Sequence, residues 1–147
     1  MTTVISRDLF RRIEYELYSY QTNKSKIDSE RSKILHGSPP PAGGLGSSGV
    51  SDPTCRKASK LAELDESEQA RWVRCLDDAL RGMSEKKQTL VKLKYFQHLK
   101  AEIIARRLRI GRTSYFSLRE NVILTIALVA AQRGLIKTTA EGRRGVK

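Results

Sequence analysis

The side chains best suited to chemistry in this chain lie between Ala101 and Ile126, in the segment AEIIARRLRIGRTSYFSLRENVILTI. Arginine pairs with guanine or with phosphate, and serine or threonine hydroxyls bond bases or the nucleic-acid backbone. Hydroxyls and backbone amides at a helix start suit a phosphate oxygen. Eight polar side chains and one aromatic ring make up the predicted DNA-binding set: Arg106, Arg107, Arg109, Arg112, Thr113, Ser114, Phe116, Ser117 and Arg119.

Two short helices and a tight turn would position this set. The spacing predicts a helix over about 100–108, a turn over 109–112 and a final helix from about Thr113 to Arg133. Ile110 would fill the turn, and Gly111 would supply its unusual backbone dihedrals. This spacing is typical of a helix-turn-helix, at about 100–124. Its predicted apolar positions are Ala101, Ile104, Ala105, Leu108, Ile110, Tyr115, Leu118, Val122, Ile123 and Ile126.

The distribution of charge favours a polyanion as the partner. The 147 residues carry a formal net charge of +12 and the sequence pI is about 10.0. Residues 1–83 hold 13 basic and 12 acidic side chains, whereas residues 84–147 hold 15 and 4. The helix-turn-helix therefore lies in the strongly basic part of the chain, where phosphate neutralisation would drive binding. A basic face that serves only solubility is the alternative explanation.

Catalytic and metal chemistry find little support in the sequence. The soft ligands are Cys55, Cys75, His36 and His98, and no two have the spacing of a zinc pair. The glycine-rich stretch GGLGSSG lacks the Gly-Lys-Ser/Thr ending of a phosphate-binding loop. No Ser-His-Asp or Cys-His order stands out. We therefore predict no enzyme, no catalytic residue, no bound metal and no cofactor.

The compartment follows from composition. No stretch approaches the roughly 20 consecutive apolar residues of a membrane span. The amino terminus has no uninterrupted apolar run of signal-peptide length. Two cysteines cannot form a disulfide scaffold. We expect no membrane association and a cytoplasmic protein.

The chain divides into four predicted segments, and no strand alternation interrupts its helical patterns. Residues 1–35 form an N-terminal helical seam, 36–52 a flexible Pro/Gly/Ser linker, 53–136 a helical DNA-binding domain and 137–147 a disordered basic tail. Pro53 suits a first helical position, Gly82 a helix end and Ser84 a helix cap. The polar stretch at 65–68 marks either a bend or a solvated face. The fold class is therefore all-α.

The N-terminal seam follows a three-and-four spacing typical of a helix that packs along one side. Its residues are Phe10, Ile13, Leu17, Tyr20, Ile27 and Ile34. The polar run Gln21-Thr22-Asn23 leaves open whether the segment is one helix or two. The partner of the seam is either another helix of the same chain, which we favour, or a second subunit.

The sequence also resembles known families. LxIGRTSYFSLRENVI aligns without gaps to the helix-turn-helix of sigma-factor region 4, with Leu108, Ile110, Tyr115, Leu118 and Val122 at its core positions. Over residues 9–136 the chain is similar to phage late-operon transcriptional activators of the RinA/ArpU type. That similarity rests on IEYELYSYQTNKSKIDSERSKI, the Pro/Gly linker, the long middle helix and KLKYFQHLKAEIIARRLRIGRTSYF. The resemblance implies a recognition set of Arg112, Thr113, Ser114, Phe116, Ser117 and Arg119. Phe116 departs from the pattern, because sigma-type helices often carry a polar or basic residue there.

The sequence thus predicts a sequence-specific DNA-binding transcriptional regulator, and the resemblance implies a phage or prophage late-gene activator that acts at the nucleoid of a bacterial host cell. Double-stranded DNA is the expected partner, and RNA polymerase and a second copy of the chain are further candidates. Two other functions stay open. One is a phage small terminase subunit that binds packaging-site DNA, and the other is a helical protein-interaction module.

Overall fold

A computed structural model of the chain describes residues 5–36 and 53–136, and these residues form helices joined by short turns, without a strand. The fold class is all-α, as the sequence predicts. Lys92–Phe96 is a π-helical turn that continues the fourth helix. The six α-helices are α1 (Arg7–His36), α2 (Pro53–Glu66), α3 (Glu68–Arg81), α4 (Glu85–Val91), α5 (Ala101–Leu108) and α6 (Arg112–Gln132).

Helix α1 is continuous through residues 21–23, so the polar run does not divide it. Its seam is confirmed as a buried stripe, because Ile13, Leu17, Tyr20 and Ile27 are all buried. The stripe packs against α2, α3, α6 and the π-helical turn. The partner of the seam is therefore the same chain, and α1 shares one hydrophobic core with residues 53–136.

The middle of the chain contains two helices rather than one. Ser67 ends α2 and caps α3: its hydroxyl donates to the Leu64 carbonyl at 2.7 Å and accepts from the Ala70 amide at 3.2 Å. The polar stretch at 65–68 is thus a break in the helix, for which a capping serine is well suited. Helix α2 contributes no buried residue, whereas α3 buries Trp72 and Leu76.

The turn from α3 into α4 follows the predicted signals. Gly82 ends α3, and the Ser84 hydroxyl accepts from the Lys87 amide at the start of α4. In the π-helical turn that follows, the Gln97 amide donates to the Lys92 carbonyl at 2.9 Å, five residues back. Both Leu93 and Tyr95 are buried there.

Helix α6 passes through the core. Val122, Ile123 and Ile126 are fully buried, and Ala130, also fully buried, lies on the same face of the helix. Among the described helices, α6 alone has the length and apolar composition of a membrane span, but core helices of soluble proteins meet the same criterion. Gly134, at φ 73, ends the helix as predicted, because it adopts the left-handed conformation that terminates helices.

Two of the predicted segments fall outside the described residues. These are the linker beyond His36, which is the last residue of α1, and the tail over 137–147.

Of the two cysteines, Cys55 is exposed and Cys75 is buried. Burial raises the pKa of the Cys75 thiol to about 11, so this thiol stays protonated and unreactive near neutral pH.

Candidate nucleic-acid interface

Helices α5 and α6 are joined by a turn whose geometry depends on Arg109. This residue lies in the left-handed region, at φ 57 and ψ 45. The Ile110 amide donates to the Ala105 carbonyl at 3.0 Å, and the Arg109 amide donates to the Arg106 carbonyl at 3.1 Å. These two bonds form a Schellman motif, which usually places glycine where Arg109 stands.

The prediction that Gly111 supplies the unusual dihedrals is wrong. Gly111 has φ −78 and ψ 172, an extended conformation that any residue adopts. A Cβ atom at Gly111 would meet nothing within 4 Å. The left-handed residue instead directly follows the end of α5, two positions before the glycine, and it carries a long basic side chain.

The Arg109 conformation makes a stability prediction. We expect Arg109→Gly to be about 1 kcal/mol more stable to unfolding than Arg109→Ala, because a left-handed residue with a Cβ costs roughly that amount. Both variants lose the same charge, so each serves as the control for the other. Urea denaturation followed by fluorescence of Trp72, the single tryptophan, measures the difference. Equal stability of the two variants would contradict a strained Arg109.

Buried apolar residues hold the two helices together. Ile104, Tyr115 and Val122 are buried, and Leu108, Ile110 and Leu118 pack partly buried against them. Five of these residues are the ones that the sigma-factor resemblance assigns to a core: Leu108, Ile110, Tyr115, Leu118 and Val122. The arrangement of α5, turn and α6 therefore leaves the opposite side of the pair in solvent.

Eight of the nine predicted site residues lie on that solvent side and are exposed. They are Arg106, Arg107, Arg109, Arg112, Thr113, Ser114, Phe116 and Ser117. Within the described residues, none of these four arginines has a carboxylate partner in an ion pair. Four uncompensated guanidinium groups thus occur on two adjacent helices and their turn, which is a strong local source of positive potential.

The amino-terminal end of α6 adds backbone donors to this face. Gly111 precedes the helix and offers no side-chain cap, and the first intrahelical amide bond is donated by Tyr115 to the Gly111 carbonyl at 2.9 Å. The amides of Arg112, Thr113 and Ser114 consequently have no helical acceptor. Such amides, together with the helix dipole, favour an anion at this end.

A groove of about 590 Å³ lies between α5 and the start of α6. Its apolar lining comes from Ala101, Ala105, Ile110, Tyr115 and Phe116, and its charged lining from Lys100, Glu102, Arg106 and Arg112. Lys100 is a groove residue that the sequence prediction did not include, and its position directly before α5 was the available signal. Glu120 and Asn121 are exposed as well, on the outer side of α6.

Arg119 is the exception among the predicted DNA-binding residues, because it does not lie on the solvent side with the other eight. It lies on the face of α6 that packs against α1, where its Nε and terminal nitrogen donate to Glu14 at 3.2 and 3.3 Å. The guanidinium also stacks over the Phe10 ring, 4.9 Å from its centroid. Arg119 is four residues after buried Tyr115 and three before buried Val122, so the helical period turns it inward.

Glu14 also accepts a hydrogen bond from the Tyr95 hydroxyl at 2.6 Å. The cluster Glu14, Tyr95 and Arg119 therefore joins α1, the π-helical turn and α6. Burial lowers the pKa of Arg119, but the interactions with Glu14 and Tyr95 together outweigh burial and leave that pKa raised. Burial, and then the bond to Glu14, raises the pKa of the Tyr95 hydroxyl. Both groups keep their protons at any physiological pH.

Over 5–36 and 53–136, no group of three histidine, cysteine or acidic side chains is placed to hold a metal ion. No family model, curated protein or solved structure matches this chain.

Proposed function

We propose that the protein is a sequence-specific DNA-binding transcriptional regulator, with α6 as the helix that enters the major groove. The observation that carries the proposal is the convergence of four unpaired arginines and the uncapped start of α6 on one face of a two-helix unit. Phosphates would neutralise Arg106, Arg107 and Arg109, while Arg112 and the side chains that follow it would meet base edges. Arg119 is not part of the proposed interface, because its guanidinium group is paired with the Glu14 carboxylate.

The biological setting follows from the sequence resemblance and is a proposal of the same kind. We propose that the protein activates late genes of a phage or prophage and acts in the cytoplasm, at the nucleoid of the host. RNA polymerase and a second copy of the chain are the proposed protein partners. Neither partner is needed for the DNA contact itself, since one α5–α6 unit presents the whole basic face.

The first experiment is a binding selection with the full chain on fragments of host and prophage DNA, at two salt concentrations. We expect one site upstream of a gene cluster to be enriched at both. Equal recovery of all DNA fragments at the lower salt, with none recovered at the higher salt, would contradict sequence specificity. Nonspecific binding is driven by counterion release and is therefore lost as salt increases.

A charge-matched pair of variants locates the interface. We expect Arg106→Ala/Arg112→Ala to weaken binding to the selected site at least 10-fold. The slope of log affinity against log salt should fall by about 0.9, because Arg106 would neutralise one phosphate whereas Arg112 would meet a base edge. The control is Lys26→Ala/Lys60→Ala, which removes the same charge from exposed positions on α1 and α2. Equal weakening in the two variants would mean that net charge, rather than this face, drives binding.

A further inference from the structure

We propose that the groove between α5 and α6 receives the 5-methyl group of a pyrimidine in the DNA major groove, and that Phe116 is the residue that reads it. This inference rests on the proposed function and specifies one feature of the DNA site. Phe116 would then be a specificity-determining residue rather than a residue that contributes only to the fold.

The first observation is the exposure of Phe116. Its ring is 37% exposed, and of the large exposed apolar side chains in the described residues it is the one on the first two turns of α6. Residues at the start of a recognition helix are those that approach base edges. An aromatic ring there donates no hydrogen bond to a base edge, whereas the thymine methyl is an apolar group displayed in the major groove.

The second observation is that the ring is held in place. Phe116 meets Tyr115 edge to face, with centroids 5.1 Å apart and an interplanar angle of 74°. The Arg112 guanidinium lies over the Phe116 ring, 5.7 Å from its centroid. Tyr115 is itself buried, so the support is rigid. A fixed ring loses little conformational freedom on binding, which favours a contact as small as one methyl group.

The third observation is the chemistry around the ring. Ala101 and Ala105 line the groove with small apolar surfaces beside Phe116, which leaves space next to the ring. Lys100 and Arg106 also line this groove and provide cations for phosphates on either side, Arg112 lies beside the ring towards the base edges, and Glu102 is the one acidic lining residue. An apolar floor between cations fits a methyl-bearing base edge between two phosphates better than it fits a polar edge, which would lose hydrogen bonds to water there.

Two bases carry this methyl group, thymine and 5-methylcytosine. They differ at the neighbouring position, where thymine has an oxygen acceptor and cytosine an amino donor. The shared chemistry is the 5-methyl group, and substitution within the DNA distinguishes the two sources.

The test uses the full chain and the DNA site recovered by selection, with each thymine in turn replaced by deoxyuridine, which lacks only the methyl group. We expect the Kd to rise about 4-fold at one or two positions, the factor that corresponds to ~0.8 kcal/mol for one buried methyl group. With Phe116→Ala, thymine and uracil at those positions should bind equally. Leu128→Ala, which truncates another exposed apolar side chain of α6 outside the predicted DNA-binding set, is the matched control and should keep the 4-fold difference.

The outcomes separate this inference from the proposed function. A specific site at which no uracil substitution matters would overturn the methyl contact and leave the DNA-binding proposal standing. A selection that recovers no site would overturn both. At a sensitive position, two comparisons are made: thymine against uracil, and 5-methylcytosine against cytosine. If the methyl group raises the affinity equally in both comparisons, Phe116 reads the methyl group alone. If it raises the affinity only in the thymine comparison, thymine is the base that Phe116 reads. Trp72 fluorescence confirms that the Phe116→Ala variant is folded.

Discussion

Replacing Glu14 by alanine should lower the free energy of unfolding by about 2–3 kcal/mol. The Glu14 and Arg119 side chains are only 16% and 25% exposed, so neither is well hydrated. Removing one partner of a buried pair costs about 3–5 kcal/mol, and partial exposure reduces that figure. The substitution also leaves the hydroxyl of the buried Tyr95 without its acceptor.

Urea denaturation with Trp72 fluorescence measures this effect, and Glu30→Ala is the matched control. Glu30 also pairs with a basic side chain, Lys33, but both groups lie in solvent on α1. Its removal should change stability by no more than about 0.5 kcal/mol. A double-mutant cycle of Glu14→Ala with Arg119→Ala should give a coupling of at least about 1 kcal/mol. Strictly additive effects would show that the two groups stabilise the fold independently.

The second large effect is expected from Leu17→Ala, which should destabilise the protein by about 3–5 kcal/mol. Leu17 is fully buried in the core that α1 shares with α3 and α6. Truncation of a fully buried leucine removes its transfer free energy and leaves a cavity that the neighbours fill only in part. A substitution in the N-terminal helix therefore reduces the folded fraction of the whole helical unit that shares this core.

Tyr15→Ala provides the comparison on the same helix. Tyr15 is 63% exposed, so its truncation should change the free energy of unfolding by less than about 0.5 kcal/mol. Both variants are compared by urea denaturation and by DNA affinity at a temperature where each is folded. A Leu17→Ala effect on stability as small as that of Tyr15→Ala would show that α1 is not integrated into the core. A loss of DNA affinity in folded Leu17→Ala would show that the substitution acts on the proposed interface and not only through the folded fraction.

Local signals in the sequence were sufficient for most of the fold. The three-and-four spacing predicted the buried stripe of α1, and Ser84 and Gly82 predicted the turn between α3 and α4. The same spacing located the buried positions of α5 and α6. These predictions held because each depends on residues within a few positions of one another, where propensity and capping chemistry act directly.

The errors concern features that depend on distant residues or on rare conformations. An arginine suits a DNA contact, and the spacing of Arg119 from Tyr115 and Val122 already directs it to the buried face of α6. Its partner Glu14 lies 105 residues earlier and could not be identified from that spacing. Arg109 adopts a left-handed conformation that propensity assigns to glycine, which is why Gly111 was the residue predicted to adopt it. Pairwise tertiary contacts and strained turns of this kind are not encoded in local spacing.

The π-helical turn at Lys92–Phe96 changes the direction in which the side chains at the end of the helix point, because it contains one more residue than an α-helical turn. In a regular α-helix, Leu90, Val91, Leu93 and Tyr95 would spread over more than one face, yet all four are buried. The extra residue in the wide turn rotates the end of the helix so that Tyr95 reaches Glu14. Inserting or deleting one residue in this segment would rotate Tyr95 about the helix axis and move its hydroxyl away from Glu14, which also binds Arg119 of α6. Related sequences that keep this cluster should therefore preserve the length of this segment more strictly than its composition.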